Sequence, residues 1–391
     1  MGVERRGDII EGDGLSQPPR REELGTSPKA CALPTRAVCA AWQRVKANRG
    51  AAGRDGESLA AFEQKLGGKL YRGWNRLGSG SYVPPPGKEG GIPKAGGGTR
   101  PLGMPPVGDR VAQTVAKRAL EPQLEPHFDH ASDGYRPGKA AKGAGAGTRQ
   151  RGGQSEWVVE FDSKGAFDTL DHGLLLKAGR KHPDWRGGLR YVARGVRALT
   201  ITAAGEGQAR QRGTPPGGVL GPLWRNLFLP YAVAGGLRGE RPMGPLARYA
   251  DDGGGQGRTE RQAQAGKQRR ATRWREGGLE LQPDKTRSVY GKDSKRGADY
   301  PTSQVTFRGV TFRPRRAQHR VGERLTSFLP GASRAAQQRM RQQLAPWHRP
   351  RQTPESLRAL STPSSAIVAG WGQYYGSFSP PKGGTSSDMS T

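Results

Sequence analysis

The sequence predicts an α+β fold, because stretches with helical spacing alternate with short runs of strand length. Apolar residues recur at helical spacing in residues 38–45 and 59–66, and residues 333–360 are Arg-rich and helical in pattern. Residues 157–161 and 305–312 have the length and composition of strands. With 391 residues, the chain is long enough for two or three domains.

The elements that precede the middle of the chain follow from local signals. A glycine-rich break separates the two helical stretches, and two short extended segments joined by a glycine turn are expected within residues 92–104. Asp109 is a favourable N-cap for the next helix. Pro122 is expected to end that helix, because proline removes a backbone donor.

The later elements are predicted in the same way. The largely apolar run 157–161 is consistent with a strand buried in a sheet, and residues 246–250 form a second short strand. Residues 213–218 are a loop that leads into a helix. Residues 305–312 are a hairpin. The clearest domain break is expected near 315–330.

The charge of the chain indicates a polyanionic partner. Lys and Arg total 64 against 34 Asp and Glu, which gives a net charge of +30. Nucleic acid is the favoured partner, and a generally solvated basic surface is the alternative. No apolar run approaches the roughly 20 residues of a membrane span, so no membrane partner is expected. Cys31 and Cys39 suggest neither a disulfide framework nor a metal site.

Three aspartates predict metal-dependent nucleotidyl transfer. Asp162 follows the run 157–161, and Asp251 and Asp252 lie at the tip of another short apolar stretch. Three carboxylates suffice for two Mg²⁺ ions, because Mg²⁺ keeps water and substrate phosphates as its other ligands. One metal would activate a 3′-hydroxyl and the other would steady the leaving pyrophosphate, so the pattern predicts polynucleotide synthesis.

A series of motifs, taken in order, resembles the group II intron-encoded proteins, which are the reverse transcriptase/maturases of bacteria and organelles. A lone Tyr-x-Asp-Asp motif is weak evidence, whereas many ordered blocks are specific. The likeness covers about residues 40–378. Its blocks are residues 48–56, 70–76, 99–105, 134–138, 161–168, 213–218, 248–252, 283–286 and 371–378.

The resemblance implies a right-hand polymerase, with fingers, a palm built on an antiparallel sheet, and a helical thumb with a maturase extension. On this basis we expect a disordered leader at 1–33, reverse transcriptase fingers and palm at 34–315, a thumb/maturase RNA-binding domain at 316–378, and a disordered tail at 379–391. No His/Cys-rich cluster follows residue 378, so a resident endonuclease is not expected. The expected location is cytoplasmic, with nucleoid-associated and organellar locations left open.

The resemblance also assigns roles to individual residues, and each has a plainer alternative. Asp162, Asp251 and Asp252 would be the catalytic and metal-binding carboxylates, unless residues 251–252 are only a polar turn. Phe167, which would screen the 2′ position of the incoming sugar, is alternatively a core aromatic. The remaining implied residues are the nucleotide-binding Lys94, Arg100 and Lys285 and the RNA-binding Arg334, Arg339, Arg341, Tyr374 and Tyr375. For these, a solvated hairpin, a solvated helix and packing tyrosines are the alternatives.

Two departures from the family pattern bear on activity. Pro216 stands where the family typically has Gln, and proline offers neither an amide side chain nor a backbone N–H. The strand expected after Asp252 contains the glycines 253–255, and each interior strand glycine costs about 0.5–1 kcal/mol. Gly73 and Gly221 also stand where bulkier residues are usual.

These features leave three functional hypotheses. The favoured one is an RNA-directed DNA polymerase and maturase that uses two Mg²⁺ ions, an RNA template with a DNA primer, dNTPs and a group II intron RNA. The alternative is a catalytically impaired RNA-binding splicing factor, which Pro216 and the glycine run favour and the intact aspartates oppose. A degraded, poorly folding product is the third, and the 61 glycines are its support.

Overall fold

A computed structural model describes most of the chain in separate stretches. The described residues are 33–93, 98–143, 155–165, 167–182, 186–202, 204–215, 217–234, 247–250, 252–294, 296, 298–318, 324–345 and 357–377. The predicted leader 1–33 and tail 379–391 therefore fall almost wholly outside these residues. So do Lys94, Pro216 and Asp251.

Helices and strands share the described residues, which confirms the α+β prediction. The helices are α1 (Thr35–Ala47), α2 (Leu59–Gln64), α3 (Leu66–Gly78), α4 (Val107–Leu124), α5 (His172–Gly179), α6 (Arg186–Val196), α7 (Gly221–Leu229), α8 (Glu260–Glu276), α9 (Arg334–Leu344) and α10 (Leu357–Gly376). Short 3₁₀ turns occupy Glu125–His127 and Pro283–Lys285, and a π-helical turn occupies Pro230–Ala234.

The strands form three sheets. They are β1 (Gly87–Pro93), β2 (Thr99–Met104), β3 (Trp157–Lys164), β4 (Thr200–Ile201), β5 (Gly207–Gln208), β6 (Ala247–Tyr249), β7 (Asp252–Gly257), β8 (Glu280–Leu281), β9 (Arg287–Tyr290), β10 (Val305–Phe307), β11 (Val310–Gln318) and β12 (Arg324–Ala332). The first sheet has the order β2-β1-β4-β5 and the last has the order β10-β11-β12. The predicted extended pair in residues 92–104 and the predicted hairpin in 305–312 are both present as antiparallel pairs.

The central sheet is antiparallel throughout and is built around β3. One edge of β3 pairs with β7, and its other edge pairs with β9 and then with β8. Strand β6 pairs with β7 to complete the order β6-β7-β3-β8. The glycine-rich β7 forms six cross-strand pairs with β3, from Trp157 opposite Gly257 to Asp162 opposite Asp252.

The two faces of β3 pack against different layers, because successive side chains of a strand point to opposite faces. Trp157, Val159 and Phe161 are buried with Ala263 of α8 and Tyr290 of β9. The opposite face begins at Val158, which is buried among the apolar residues of the third sheet, Val305, Phe307, Val310 and Phe312. Asp162 has the same parity as Val158 and therefore belongs to the face that meets the third sheet.

The N-terminal helices α1, α2 and α3 pack on α4, with Trp42 stacked on Phe62 at 5.1 Å between ring centroids. Two predictions about α4 are wrong. The helix begins at Val107 after Pro106, whose fixed φ suits a helix entrance, so Asp109 is not the N-cap but a buried residue of the first turn. Pro122 does not end the helix, which runs to Leu124. Buried Leu120 and Leu124 flank this proline and hold the last turn in place.

The third sheet is covered on one side by the C-terminal helix. Tyr374 and Tyr375 of α10 pack against the cluster of Val305, Phe307, Val310 and Phe312. A domain boundary at residue 315 would cut β11, which pairs with β12 along nine positions. The division of the chain into fingers, palm and thumb stays a prediction.

In the part of the chain that the structure describes, no helix has the length and apolarity to cross a bilayer.

Candidate active site

Asp162 and Asp252 face each other across two neighbouring strands. They form the last pair of the β3–β7 ladder, so their side chains lie on the same face of the central sheet. The Asp162 side chain is 15% exposed and that of Asp252 is 40% exposed. Both carboxylates therefore lie at an open end of the sheet, where a substrate can reach them.

A tight turn between β6 and β7 positions Asp252. Tyr249 pairs with Asp252, so only two residues form the turn, and Ala250 has a φ of +56°. Two-residue hairpins need positive φ at the first turn position. Gly134 packs directly on this turn: a Cβ there would collide with the backbone nitrogen of Ala250 and lie 2.9 Å from its Cα.

Buried polar side chains stabilise the turn between β6 and β7. The guanidinium of Arg248 donates to Ser132 Oγ at 2.6 Å, and the backbone of Arg248 pairs with residues 131 and 133. The amide of Asn226 donates to the carbonyl of Gly134 at 2.9 Å. Burial and the neighbouring Arg225 lower the pKa of Arg248 to about 9. A buried guanidinium needs its partners, so this network fixes the turn against the segment 131–134.

Each described carboxylate has a basic side chain beside it. Lys285 Nζ lies 2.7 Å from Asp162 Oδ2, and Arg308 Nη1 lies 3.6 Å from Asp252 Oδ2. The Arg308 guanidinium also lies over the ring of Tyr249, 4.5 Å from its centroid. Both carboxylates thus bind positively charged groups in the structure.

Phe167, five residues after Asp162 in the chain, is half-buried. Tyr135 approaches it edge to face with 6.3 Å between ring centroids, and the Arg225 guanidinium lies 5.3 Å from the Phe167 centroid. The carbonyl of Phe167 accepts a hydrogen bond from the N–H of Thr214 at 2.8 Å. A Cβ added at Gly221 would lie 3.2 Å from Thr214 Oγ1, so a larger residue there would press on this contact.

The described parts of the loop 213–218 link this aromatic to the first sheet. Gly213 and Gly217 both have positive φ, at +81° and +79°. A Cβ at Gly217 would lie 2.6 Å from Leu102 Cδ1, so the loop needs glycine to approach β2. The side chain of Gln113 accepts from the N–H of Val219 and donates to Asp109, which anchors the end of the loop to α4.

The described carboxylates suit a divalent cation of the Mg²⁺ type. Mg²⁺ is held by one or two carboxylates together with waters and substrate phosphates, and Asp162 and Asp252 supply two on one face. The described stretches, this site included, contain no cluster of three or more acidic, His or Cys side chains that suits a metal ion. Asp251 lies outside these residues.

The other predicted site residues lie in separate places. Arg100 is on β2 opposite Ile92. Arg334, Arg339 and Arg341 are exposed on α9, whose N-cap Ser333 donates its N–H to the carbonyl of Gly309 at 2.8 Å. Tyr374 and Tyr375 are partly buried against the third sheet, and Tyr374 donates to the carbonyl of Arg308 at 3.0 Å.

Two residues at the site have no sequence signal that would single them out. Arg308 follows a strand and precedes Gly309, and its position beside Asp252 depends on a φ of +50°. Tyr135 lies in the predicted turn 134–138, and its φ of +59° cannot be inferred from the residue type. Both were missed because positive φ is rare for residues other than glycine.

Residues 92–312 match the family model described as reverse transcriptase (RNA-dependent DNA polymerase). These residues include the central sheet, the loop 213–218, and β10 and the beginning of β11 in the third sheet. More than half of the chain therefore lies within the match.

Three curated proteins illustrate the similarity. The chain is 32% identical over 182 residues to protein YkfC of Escherichia coli, which covers 45% of this chain and 48% of that protein. It is 29% identical over 193 residues to the group II intron-encoded protein LtrA of Lactococcus lactis, covering 48% and 31%. It is 28% identical over 191 residues to a putative COX1/OXI3 intron 1 protein of Saccharomyces cerevisiae, covering 48% and 22%. The matched region spans less than half the length of each of these relatives.

Proposed function

The chain belongs to the reverse transcriptase family and is related to group II intron-encoded proteins, and from this premise we propose that it is an RNA-directed DNA polymerase and maturase. Its substrates would be deoxynucleoside triphosphates and a DNA primer paired with an RNA template. Its RNA partner would be a group II intron. The alternative, a splicing factor without polymerase activity, remains the hypothesis that the experiment below distinguishes.

The observation that carries this proposal is the pairing of Asp162 with Asp252 at the open end of the central sheet. The primer 3′-hydroxyl would attack the α-phosphorus of the dNTP, and pyrophosphate would leave. The Lys285 side chain beside Asp162 is 67% exposed, so it would be able to bind a negatively charged phosphate of the dNTP. Phe167 would contact the sugar of the incoming nucleotide.

Reverse transcriptases generally use divalent metal ions, and Asp162, Asp252 and Asp251 are the residues we propose as ligands. A bound divalent metal would activate the 3′-hydroxyl and stabilise charge on the leaving pyrophosphate. In the structure the basic side chains of Lys285 and Arg308 are the counter-ions of Asp162 and Asp252, and a bound metal would replace them there. When the metal binds, Lys285 and Arg308 would release these carboxylates and contact the substrate phosphates instead.

The proposed RNA-binding surface is the exposed side of α9. Arg334, Arg339 and Arg341 lie there, and positive charge of this kind binds a phosphate backbone in a salt-dependent way. Tyr374 and Tyr375 support the surface from α10, where their rings are 4.9 Å apart. Their partial burial favours packing over base stacking as their main role.

The test is primer extension on an RNA template with Mg²⁺ and dNTPs, run with the parent and with the double variant Asp251→Asn/Asp252→Asn. We expect extension by the parent and its loss in the variant, because two of the three proposed metal ligands are neutralised. Both proteins should bind the template–primer, with affinity that falls steeply as salt is raised.

A second result would overturn the polymerase proposal. If neither protein extends the primer, yet both bind structured intron RNA and promote its splicing, the chain acts as a splicing factor. Changing Pro216→Gln in the same assay separates an impaired polymerase from a binding protein. A gain in nucleotide addition without a change in RNA affinity would indicate impairment.

A further inference from the structure

Tyr135 combines exposure with a backbone conformation that tyrosine rarely adopts. Its φ is +59°, in the left-handed region that favours glycine, and 51% of the residue is exposed. An exposed tyrosine gains little from burial, so packing alone does not explain this conformation. Strained residues of this kind are concentrated at functional sites.

The surrounding segment is locked on both sides of Tyr135. Gly134 is pressed against Ala250, and its carbonyl accepts from Asn226 at 2.9 Å. Arg136 is buried and donates to Glu125 Oε1 at 2.8 Å and to the carbonyl of Ser132 at 2.6 Å. Tyr135 is therefore held rigidly one residue away from the contact with the turn that carries Asp252.

The Tyr135 ring contacts Phe167, the residue proposed to contact the sugar of the nucleotide. Its edge-to-face approach to Phe167, with 6.3 Å between centroids at 76°, joins two aromatic rings into one surface. Phe167 is supported from another side by Arg225, whereas Tyr135 keeps half of its surface free. One exposed ring and one half-buried ring are thus in contact, and the residue before Tyr135 packs on the turn that precedes Asp252.

We propose that Tyr135 is a specificity-determining residue, which forms with Phe167 an aromatic corner that excludes the 2′-hydroxyl of a ribonucleoside triphosphate. This inference rests on the polymerase function proposed above. The contacts of Gly134 and Arg136 fix the backbone on both sides of Tyr135, and Phe167 supports its ring, so the ring would stay in place when a larger sugar binds. Substrate selection is then set by two aromatic residues instead of one.

The experiment measures selectivity in two ways on the full chain. The efficiency of adding dATP and ATP opposite a template uridine gives a ratio of kcat/KM values. Equilibrium binding of dATP and ATP to the complex with a dideoxy-terminated primer gives the ratio of the two dissociation constants, without chemistry. The variants are Tyr135→Ala, Tyr135→Gly and Tyr135→Phe, with Tyr71→Ala as the control, since Tyr71 is another exposed tyrosine paired with a ring.

We expect the preference for dATP to fall about tenfold or more in Tyr135→Ala and Tyr135→Gly, a range typical of a modified binding pocket. Tyr135→Phe and Tyr71→Ala should keep the parent's preference. The glycine variant relieves the positive φ, so its melting temperature should be no lower than that of the alanine variant. Loss of selectivity in a protein that is equally stable separates this role from a structural one.

Unchanged selectivity in Tyr135→Gly, with the parent extending primers normally, would overturn the inference and leave the polymerase function standing. A parent that neither binds dATP in the dideoxy-terminated complex nor extends a primer would overturn both. The glycine variant keeps the test decisive should the alanine variant fold poorly.

Discussion

Lys285 donates a hydrogen bond to the carboxylate of Asp162, with 2.7 Å between Nζ and Oδ2. The two residues are 123 positions apart, and the 3₁₀ turn Pro283–Lys285 brings the lysine to the end of β3. Because the Lys285 side chain is 67% exposed, the ion pair contributes at most about 1 kcal/mol to stability. We therefore expect Lys285 to contribute to nucleotide binding more than to stability.

Lys285→Gln should raise KM for dNTPs about tenfold and lower the melting temperature only slightly. A hydrogen bond to a charged phosphate is worth about 1.5–3 kcal/mol, and 1.4 kcal/mol corresponds to a factor of ten. Steady-state primer extension and thermal unfolding measure the two effects. Lys164→Gln is the matched control, because Lys164 pairs with Glu280 at 3.3 Å and is similarly exposed. An equal rise in KM in both variants would contradict a specific role for Lys285.

Gly134→Ala should reduce primer extension at least about a hundredfold. The added Cβ would meet backbone atoms of Ala250, which cannot move without shifting Asp252. Displacements of about 1 Å at a catalytic group have effects of this size. Single-turnover extension measures the loss. Gly143→Ala is the control, since a Cβ at Gly143 has open space around it, and normal activity of the Gly134 variant would show that the turn is not rigid.

Gly254→Ala should stabilise the protein by about 0.5–1 kcal/mol. A glycine inside a strand costs this much, and a Cβ at Gly254 would meet only the carbonyl of Val159 at 3.9 Å. Gly257→Ala in the same strand is the control: its Cβ would lie 3.1 Å from the nitrogen of Ala263, so no gain is expected. Urea unfolding of the two variants measures the difference, and equal gains would show that α8 can move away from β7.

Asp109 makes the stability depend on pH. Burial raises its pKa to about 6, although hydrogen bonds from Gln113 and Tyr82 oppose the shift. Below pH 3.8 the carboxyl is protonated in both the folded and the unfolded chain. Between about pH 4 and 6 only the unfolded chain loses its proton, so the free energy of unfolding falls as the pH rises. A shift of about two units corresponds to about 3 kcal/mol.

Asp109→Asn should therefore stabilise the chain at pH 7 by up to about 3 kcal/mol and have little effect near pH 4. Asparagine can keep both contacts, because its amide can donate to Tyr82 while its carbonyl accepts from Gln113. Chemical denaturation at pH 4, 5, 6 and 7 gives the two profiles. Parallel profiles for the parent and the variant would mean that Asp109 does not titrate in this range.

The sequence predicted the elements more successfully than their ends. The central strand, the loop before α7 and the 305–312 hairpin follow from local patterns, and all are present. The predicted start of α4 at Asp109 is wrong because the helix begins after Pro106 without a capping side chain. The predicted end at Pro122 is wrong because buried leucines hold the last turn. At the C-terminal end of this helix, packing outweighs local propensity.

The candidate site was only partly predictable. Asp162, Phe167 and Lys285 stand in recognisable motifs, and the structure brings Lys285 into contact with Asp162 and joins Phe167 to Thr214 of the loop 213–218. Arg308 and Tyr135 were not foreseen, since their positions depend on positive φ and on contacts between distant segments. The glycines also differ in ways that composition conceals. Gly73 has open space where a side chain would lie, whereas Gly221 is packed against Thr214.

The contact of α10 with the turn at Arg308 has a practical consequence. Tyr374 bonds to the carbonyl of Arg308, and the hydroxyl of Tyr375 lies close to Gly309. The same Arg308 reaches Asp252. A shortened chain that ends ahead of Trp371 would therefore lose a support of the Arg308 side chain beside Asp252. Separating the proposed polymerase activity from the proposed RNA binding requires point substitutions on the surface of α9 instead of truncation.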